Sequence, residues 1–223
     1  MELKRVMDNV YWGFNGRKRL VSLNMTPSKQ VYGEELFDIG GKEYREWNPF
    51  RSKISAALYK GAKPLSFKEG DTVLYLGASS GTTVSHVSDV VSVRGRVYAV
   101  EISEEMGVSL VLLSESRKNI FPIIGDARRI EDVGIAVPTC NFLYQDIAQR
   151  DQTDIFIKNV KKFLKPGGEA AIALKAMSID VYSDPRKVIM EETKKLSRSF
   201  RVVASIDLYP YQKGHSLVII KKG

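Results

Sequence analysis

From Asp71 onward, short apolar runs alternate with amphipathic stretches. Val73-Leu74-Tyr75-Leu76 is the first run and Val97-Tyr98-Ala99-Val100 the second; Ile120 to Ile124, Asn141 to Tyr144 and Ala170 to Leu174 follow. Between them the spacing of apolar positions predicts helices over 82–91, 104–118, 153–164 and 185–198. Strands that are apolar throughout, separated by helices, predict a parallel sheet covered on both faces. The end differs. Phe200 to Leu208 and Ser216 to Lys221 are strand-like, and only Tyr209 to His215 joins them. No helix fits there, so the last two strands should be antiparallel.

Residues 1–48 carry another pattern. Asn15-Gly16 and Gly40-Gly41 are hairpin signals, and Tyr11, Trp12, Phe14, Val21, Leu23, Val31 and Tyr32 supply strand material. This predicts a small antiparallel β subdomain over 1–48 and a larger α/β domain over 49–223. Asn48-Pro49-Phe50 should open a helix reaching about Lys60, with Ile54, Ala57 and Leu58 on one face. The chain contains no internal repeat and no low-complexity segment.

Composition narrows the setting. The 223 residues are 43% hydrophobic and 27% charged, an ordinary globular balance that can bury a core. The net charge of +8 favours a polyanionic partner, nucleic acid or an anionic membrane. One cysteine, Cys140, excludes an intrachain disulfide and fits a reducing compartment; with His86 and His215 it is too few ligands for a structural zinc site. Met1-Glu2-Leu3-Lys4-Arg5 lacks an apolar signal core, and no run approaches membrane-spanning length. The expectation is a protein without a membrane segment or metal, not secreted.

The candidate chemistry lies where strands end. Gly77-Ala78-Ser79-Ser80-Gly81-Thr82-Thr83 follows the first strand and precedes a helix, so its backbone can approach a ligand at the carboxyl edge of the sheet. The spacing is Gly-x-x-x-Gly, which departs from the dinucleotide fingerprint and disfavours a nicotinamide dehydrogenase. Glu101, twenty residues beyond Gly81, ends the second strand, where a carboxylate can accept from both ribose hydroxyls of a nucleoside. Gly125-Asp126-Ala127 closes the third strand; Asp126 can accept from an adenine amino group, or merely cap the next turn. Asp146-Ile147-Ala148-Gln149 closes the fourth. Three acidic residues at three successive strand ends are more specific than any one of them.

These residues resemble the fibrillarin family, methyltransferases of C/D-box guide ribonucleoproteins, in their shorter archaeal form. The resemblance rests on Trp47-Asn48-Pro49-Phe50-Arg51-Ser52-Lys53, on Val73 through Asp89, on Tyr98-Ala99-Val100-Glu101 and on Gln145-Asp146-Ile147-Ala148-Gln149, and it runs nearly end to end. It implies a Rossmann-like methyltransferase fold, a mostly parallel seven-stranded sheet with one antiparallel strand. It implies S-adenosyl-L-methionine as cofactor, held by Gly77, Ala78, Thr82, Thr83, Glu101, Ile102, Asp126, Ala127 and Asp146 through Gln149. It implies a catalytic group of Lys53, Asp146, Lys175 and His215, and 2′-O-ribose methylation of rRNA and/or tRNA. The implied partners are the C/D-box guide RNA and its target RNA, a Nop-family scaffold protein and a kink-turn-binding protein related to ribosomal protein L7, in the archaeal cytoplasm. Ser80 stands where the family more often has Ala, and Gly214 where it usually has Asp before the final His, which leaves the orientation of His215 open.

Within that chemistry, Lys175 at the end of the fifth strand is a candidate proton acceptor. Burial and a nearby Lys53 should lower its pKa, while Asp146 orients it and limits the shift. Lys53 could position the nucleotide or its phosphate. The plain alternatives are a snorkelling strand-end lysine at 175, a solvated helix lysine at 53 and a turn histidine at 215. His86 and Cys140 are expected to pack, and Trp12 and Trp47 to be core residues or part of a protein interface. Arg17-Lys18-Arg19, Arg128-Arg129, Lys161-Lys162 and Lys221-Lys222 could follow RNA phosphate, or be solvated faces. Rival functions are a stand-alone RNA methyltransferase, a non-catalytic RNA-binding or assembly protein on this fold, and a small-molecule methyltransferase.

Overall fold

The computed structural model describes residues 2–134 and 136–223; Met1 and Ile135, which fall in the expected small and large units respectively, lie outside the described residues. The N-terminal part is a five-stranded antiparallel sheet of β1 (Glu2–Met7), β2 (Val10–Asn15), β3 (Arg17–Leu23), β4 (Leu36–Ile39) and β5 (Lys42–Glu46), in the order β1-β2-β3-β5-β4. The expected turns join β2 to β3 and β4 to β5. Asn15 pairs with Arg17 across Gly16 at φ +74°, and Gly40 and Gly41 take φ +63° and +73°. Only glycine adopts such angles without a Cβ penalty.

Seven strands form the second sheet: β6 (Thr72–Leu76), β7 (Arg96–Glu101), β8 (Ile120–Ile124), β9 (Cys140–Gln145), β10 (Leu164–Lys175), β11 (Arg201–Asp207) and β12 (His215–Lys221). Their order is β11-β12-β10-β9-β6-β7-β8, and β12 runs antiparallel to both β10 and β11. The helices are α1 (Lys53–Tyr59), α2 (Thr82–Val91), α3 (Glu104–Ser116), α4 (Gln152–Phe163), α5 (Ala176–Ile179) and α6 (Pro185–Ser197). Alternate strand residues face opposite ways, so the sheet sorts its apolar side chains into two cores. Val73, Tyr75, Val97, Ala99, Phe142 and Tyr144 pack with α1 and α2, and Met7, Val10, Leu20 and Trp47 of the N-terminal part join that same core. Leu74, Leu76, Val100, Leu143, Ile172 and Leu174 pack with α4 and with Leu196 of α6. No helix among the described residues is long and apolar enough to cross a membrane.

Several expected boundaries move for local reasons. The helix expected from Asn48 begins at Lys53. Asn48 Oδ1 accepts from Phe50 N–H at 2.8 Å and its carbonyl accepts from Arg51 N–H at 3.1 Å, holding a turn, and extended Ser52 is the N-cap. The helix expected to reach Lys118 stops at Ser116, because Arg117 turns its guanidinium into a buried network with Asp89, Asn24 and Thr26. The fifth strand starts at Leu164 rather than Ala170, pairing there with Cys140 before an irregular stretch. The short helix α5 and a 3₁₀ turn, Ile130–Val133, have no counterpart in the periodicity reading.

Candidate active site

The sheet order reverses at β6: the chain moves outward to β7 and β8, then crosses to β9 on the other side. Such a switch point leaves a crevice at the carboxyl ends of the two diverging strands. Gly77 follows β6 and Asp146 follows β9, and a cavity of about 250 Å³ opens there. Gly77, at φ +82°, is required: a Cβ would stand 2.6 Å from the Asp146 carbonyl oxygen. Gly81, at φ +94°, is the N-cap of α2.

Each wall comes from one strand end. Glu101, Ile102, Asp126, Ala127, Asp146, Ile147, Ala148 and Gln149 all line the cavity with Gly77. Ala78, Thr82 and Thr83 do not; Ala78 and Thr83 are buried, and the threonines form the first turn of α2. Ser79, Val100 and Gly125 belong to the quoted motifs but were not expected as contacts, and they line it too. Ser79 takes φ +50° so that its N–H points at Glu101 Oε2, 2.6 Å away, while Ser103 N–H reaches Oε1 at 2.9 Å. Each carboxylate oxygen has two lone pairs, so both keep one acceptor position for a hydroxyl pair. Asp126 does what its plainer reading expected as well: Oδ1 accepts from Arg128 N–H at 2.8 Å. Arg128 also pairs in two places with Asp151, tying the loop after β8 to the loop before α4.

The four expected reactive side chains converge. Lys53 is the first residue of α1, Asp146 follows β9, Lys175 ends β10, and His215 begins β12 directly opposite Lys175 in register. One carboxylate holds both lysines: Asp146 Oδ2 is 2.9 Å from Lys53 Nζ and Oδ1 is 2.8 Å from Lys175 Nζ. Lys175 Nζ also donates to the Asp146 carbonyl at 3.1 Å. Burial pushes the Asp146 carboxyl up, but the two ammonium groups and their hydrogen bonds outweigh it and hold the group below the ordinary carboxylate range. His215 is half-buried. Desolvation, then the charge of Lys53 and of Lys175, push its pKa down against the opposing pull of Asp146, so the ring is neutral at pH 7.

Gln152, which the motif reading missed, braces this group. Its buried side chain accepts from Lys175 N–H at 3.0 Å and donates to the Gln149 carbonyl at 2.8 Å. The signal available in sequence was only a glutamine at the start of an amphipathic helix. His86 and Cys140 pack as expected. His86 is fully buried between Ser22 and Tyr32, 2.8 Å from each, and stacks on Trp47; burial pushes the Cys140 thiol up to about 12. Among the described residues no group of three or more His, Cys, Asp or Glu could hold a metal ion.

The donor set fits a nucleoside carrying a charged amino-acid tail. Glu101 and Asp126 offer acceptors at one end, Ile102, Ala127 and Ile147 offer apolar contact, and Gln149 Oε1 is buried with no partner among the described residues. Fold and cavity together define an α/β protein of the methyltransferase type, with one antiparallel strand in an otherwise parallel seven-stranded sheet. The family model Fibrillarin matches residues 1–223, and the chain belongs to the fibrillarin family. It is 46% identical over 218 residues to the fibrillarin-like rRNA/tRNA 2′-O-methyltransferase of Saccharolobus solfataricus, covering 96% of this chain and 94% of that one. The fold superposes on Aeropyrum pernix fibrillarin in complex with natively bound S-adenosyl-L-methionine with a TM-score of 0.86 at 40% identity, covering 98% and 99% of the two chains. It superposes on the fibrillarin of a fibrillarin/Nop5p complex with a TM-score of 0.89 at 38% identity, covering 99% and 100%.

Proposed function

We propose that this protein transfers a methyl group from S-adenosyl-L-methionine to the ribose 2′-oxygen of rRNA and/or tRNA, inside a guide ribonucleoprotein. The observation that carries the reading is the single Asp146 carboxylate, which holds Lys53 and Lys175 together at the edge of the nucleoside-sized cavity. When bound, the cofactor supplies an electrophilic methyl carbon on a positively charged sulfur. Glu101 would accept from its ribose hydroxyls, Asp126 would face the adenine, and Asp146 through Gln149 would hold the methionine end. Thr82 and Thr83 shape the site from the first turn of α2, behind Gly77 and Ala78.

The remaining residues manage one proton and one alignment. The bound cofactor would supply its methyl group to the ribose oxygen, and Lys175 Nζ is the group that takes the hydroxyl proton. Asp146 orients Lys175 through side chain and carbonyl. Lys53 holds the phosphate beside the reacting ribose, and neutral His215 lies opposite Lys175 in register, its buried Nδ1 without a hydrogen-bond partner among the described residues. The protein acts in the archaeal cytoplasm with a Nop-family scaffold, a C/D-box guide RNA that selects the target, and a kink-turn-binding protein related to ribosomal protein L7. The family match, the archaeal relatives and the likeness to the Nop5p-bound fibrillarin support this setting.

The test is site mapping of labelled methyl groups on a guide–target duplex, with and without the partner proteins, for the wild type and Lys175→Arg. Labelling of one 2′-oxygen only with guide and partners, and a single-turnover rate that collapses in the arginine variant, is the expected result. Labelling of free RNA by the protein alone would refute the guided setting. A near-normal Lys175→Arg rate at neutral pH would refute the base role, because Arg does not release its proton there.

A further inference from the structure

The basic runs of the sequence meet different fates in the fold. Arg17 and Arg19 turn to Glu35 and Glu46, Arg128 to Asp126 and Asp151, Lys162 to Glu131, and Lys222 donates to carbonyls at the end of α4. Lys18 does something else. Its ammonium lies 3.8 Å from the centre of the Trp12 ring, and neither it nor Lys4 makes an ion pair among the described residues. Lys4 pairs across the strands with Trp12, and Phe14 with Lys18, so these four share one face of the N-terminal sheet.

That face and the end of α1 enclose a groove of about 390 Å³, lined by Lys4, Arg5, Lys18, Trp12, Phe14 and Tyr59 among others and by no carboxylate. Arg5 is partly engaged by Asp8. The groove is connected to the active site by packed aromatic rings. Trp12 meets Tyr59 at 4.8 Å, Tyr59 meets Tyr211 at 5.4 Å, and Tyr211 meets Phe50 at 5.3 Å. Phe50 is 63% exposed and stands three residues before Lys53; Gln212 clamps its carbonyl at 2.9 Å. The seven residues of α1 run from Lys53 to Tyr59, a rise of about 9 Å. Along one strand of a duplex that distance is roughly three nucleotides.

We propose that this groove holds the RNA phosphate backbone about three nucleotides from the ribose being methylated, with Lys4 and Lys18 as its contacts. The inference rests on the function proposed above and extends it from the reacting nucleotide to its neighbours. Charge complementarity carries it. An ammonium held on an indole face is kept in place without losing its N–H donors to a carboxylate, which suits a phosphate oxygen. The contact reads no base, consistent with target choice by a guide.

The experiment uses the assembled complex with guide and target RNA. The double variant Lys4→Gln/Lys18→Gln changes exposed side chains only, and Lys4→Arg/Lys18→Arg keeps both charges. The neutral variant should raise the target-RNA KM roughly five- to tenfold and reduce the slope of log affinity against log salt by about 1.4 to 1.8, two phosphates' worth. Its kcat at saturating RNA and its cofactor Kd should stay at the wild-type values, and the arginine variant should restore the KM. An unchanged KM and salt slope would overturn the proposal. So would a defect in assembly with the partner proteins at unchanged RNA affinity, which would make the groove a protein interface. Methylation by the wild type in the same assay tests the parent function separately.

Discussion

The two histidines should make the folded state sensitive to pH between 6.5 and 5, and His86 should account for most of it. His86 is enclosed: Ser22 Oγ lies 2.8 Å from Nδ1, Tyr32 Oη lies 2.8 Å from Nε2, and Trp47 stacks on the ring at 4.9 Å. Burial, then the charges of Arg45 and Arg117, hold its pKa well below the ordinary value. In the unfolded chain the ring takes up a proton near pH 6.5; in the folded chain it does not. The unfolded state therefore binds more protons below that pH, and stability falls as pH falls. For one ring excluded from protonation throughout, the loss from pH 6.5 to 5.0 is on the order of 1–2 kcal/mol. His215 is shifted in the same direction and adds a smaller part. The Asp146 shift acts in the same direction in a lower window: its stabilisation is present above the ordinary carboxylate range and is lost only as pH falls from that range towards its depressed folded value. Urea unfolding of the wild type and of His86→Gln at pH 6.5 and 5.0 measures the effect. The gap between the two proteins should shrink by on the order of 1–2 kcal/mol at the lower pH, whatever the substitution costs at pH 6.5. Parallel losses in both proteins would refute the reasoning and mean that His86 is protonated in the fold.

Three further outcomes follow from the site geometry. Gly77→Ala should weaken cofactor binding more than tenfold in calorimetry while circular dichroism stays native. Its φ of +82° costs a side chain on the order of 1–3 kcal/mol, and the new Cβ pushes on the Asp146 carbonyl, so an unchanged Kd would contradict the placement of the cofactor. Asp146→Asn leaves two lysines facing each other without a carboxylate. The single-turnover methylation rate should fall by about 10² to 10⁴, and a loss of less than tenfold would remove Asp146 from the mechanism. Arg128→Ala cuts the strap between Asp126 and Asp151; because Arg128 is partly exposed, the expected effect is a several-fold weaker cofactor Kd with the urea unfolding midpoint essentially unchanged.

The parallel sheet was legible because a strand covered on both faces must be apolar at nearly every position. Val73 to Leu76 and Phe142 to Tyr144 obey that rule, and helices between them follow from the need to cover both faces. The acidic strand ends were legible for a related reason. Glu101, Asp126 and Asp146 are polar residues placed where apolar runs stop, so local pattern is enough to mark them. Glycine positions carry their own information, since Gly77 and Gly40-Gly41 sit at positive φ, where a side chain is strained.

What the chain order conceals is which distant residues share an atom. Lys53, Asp146, Lys175 and His215 span more than 160 positions, and nothing in local periodicity makes one carboxylate serve two lysines. That follows from β10 lying between β9 and β12 and from α1 ending its preceding turn beside them. Gln152 escaped notice because its role is to satisfy a backbone N–H at Lys175, a need that exists only once β10 and α4 are docked. The basic runs tell the same story in reverse. Arg17, Lys18 and Arg19 are adjacent and equally charged, yet strand alternation sends Lys18 to the opposite face from its neighbours, which find Glu35 and Glu46. Periodicity acts over a few residues and is written into composition; pairing of charges and hydrogen bonds depends on distances of a few ångströms between segments, which exist only after the sheet has assembled.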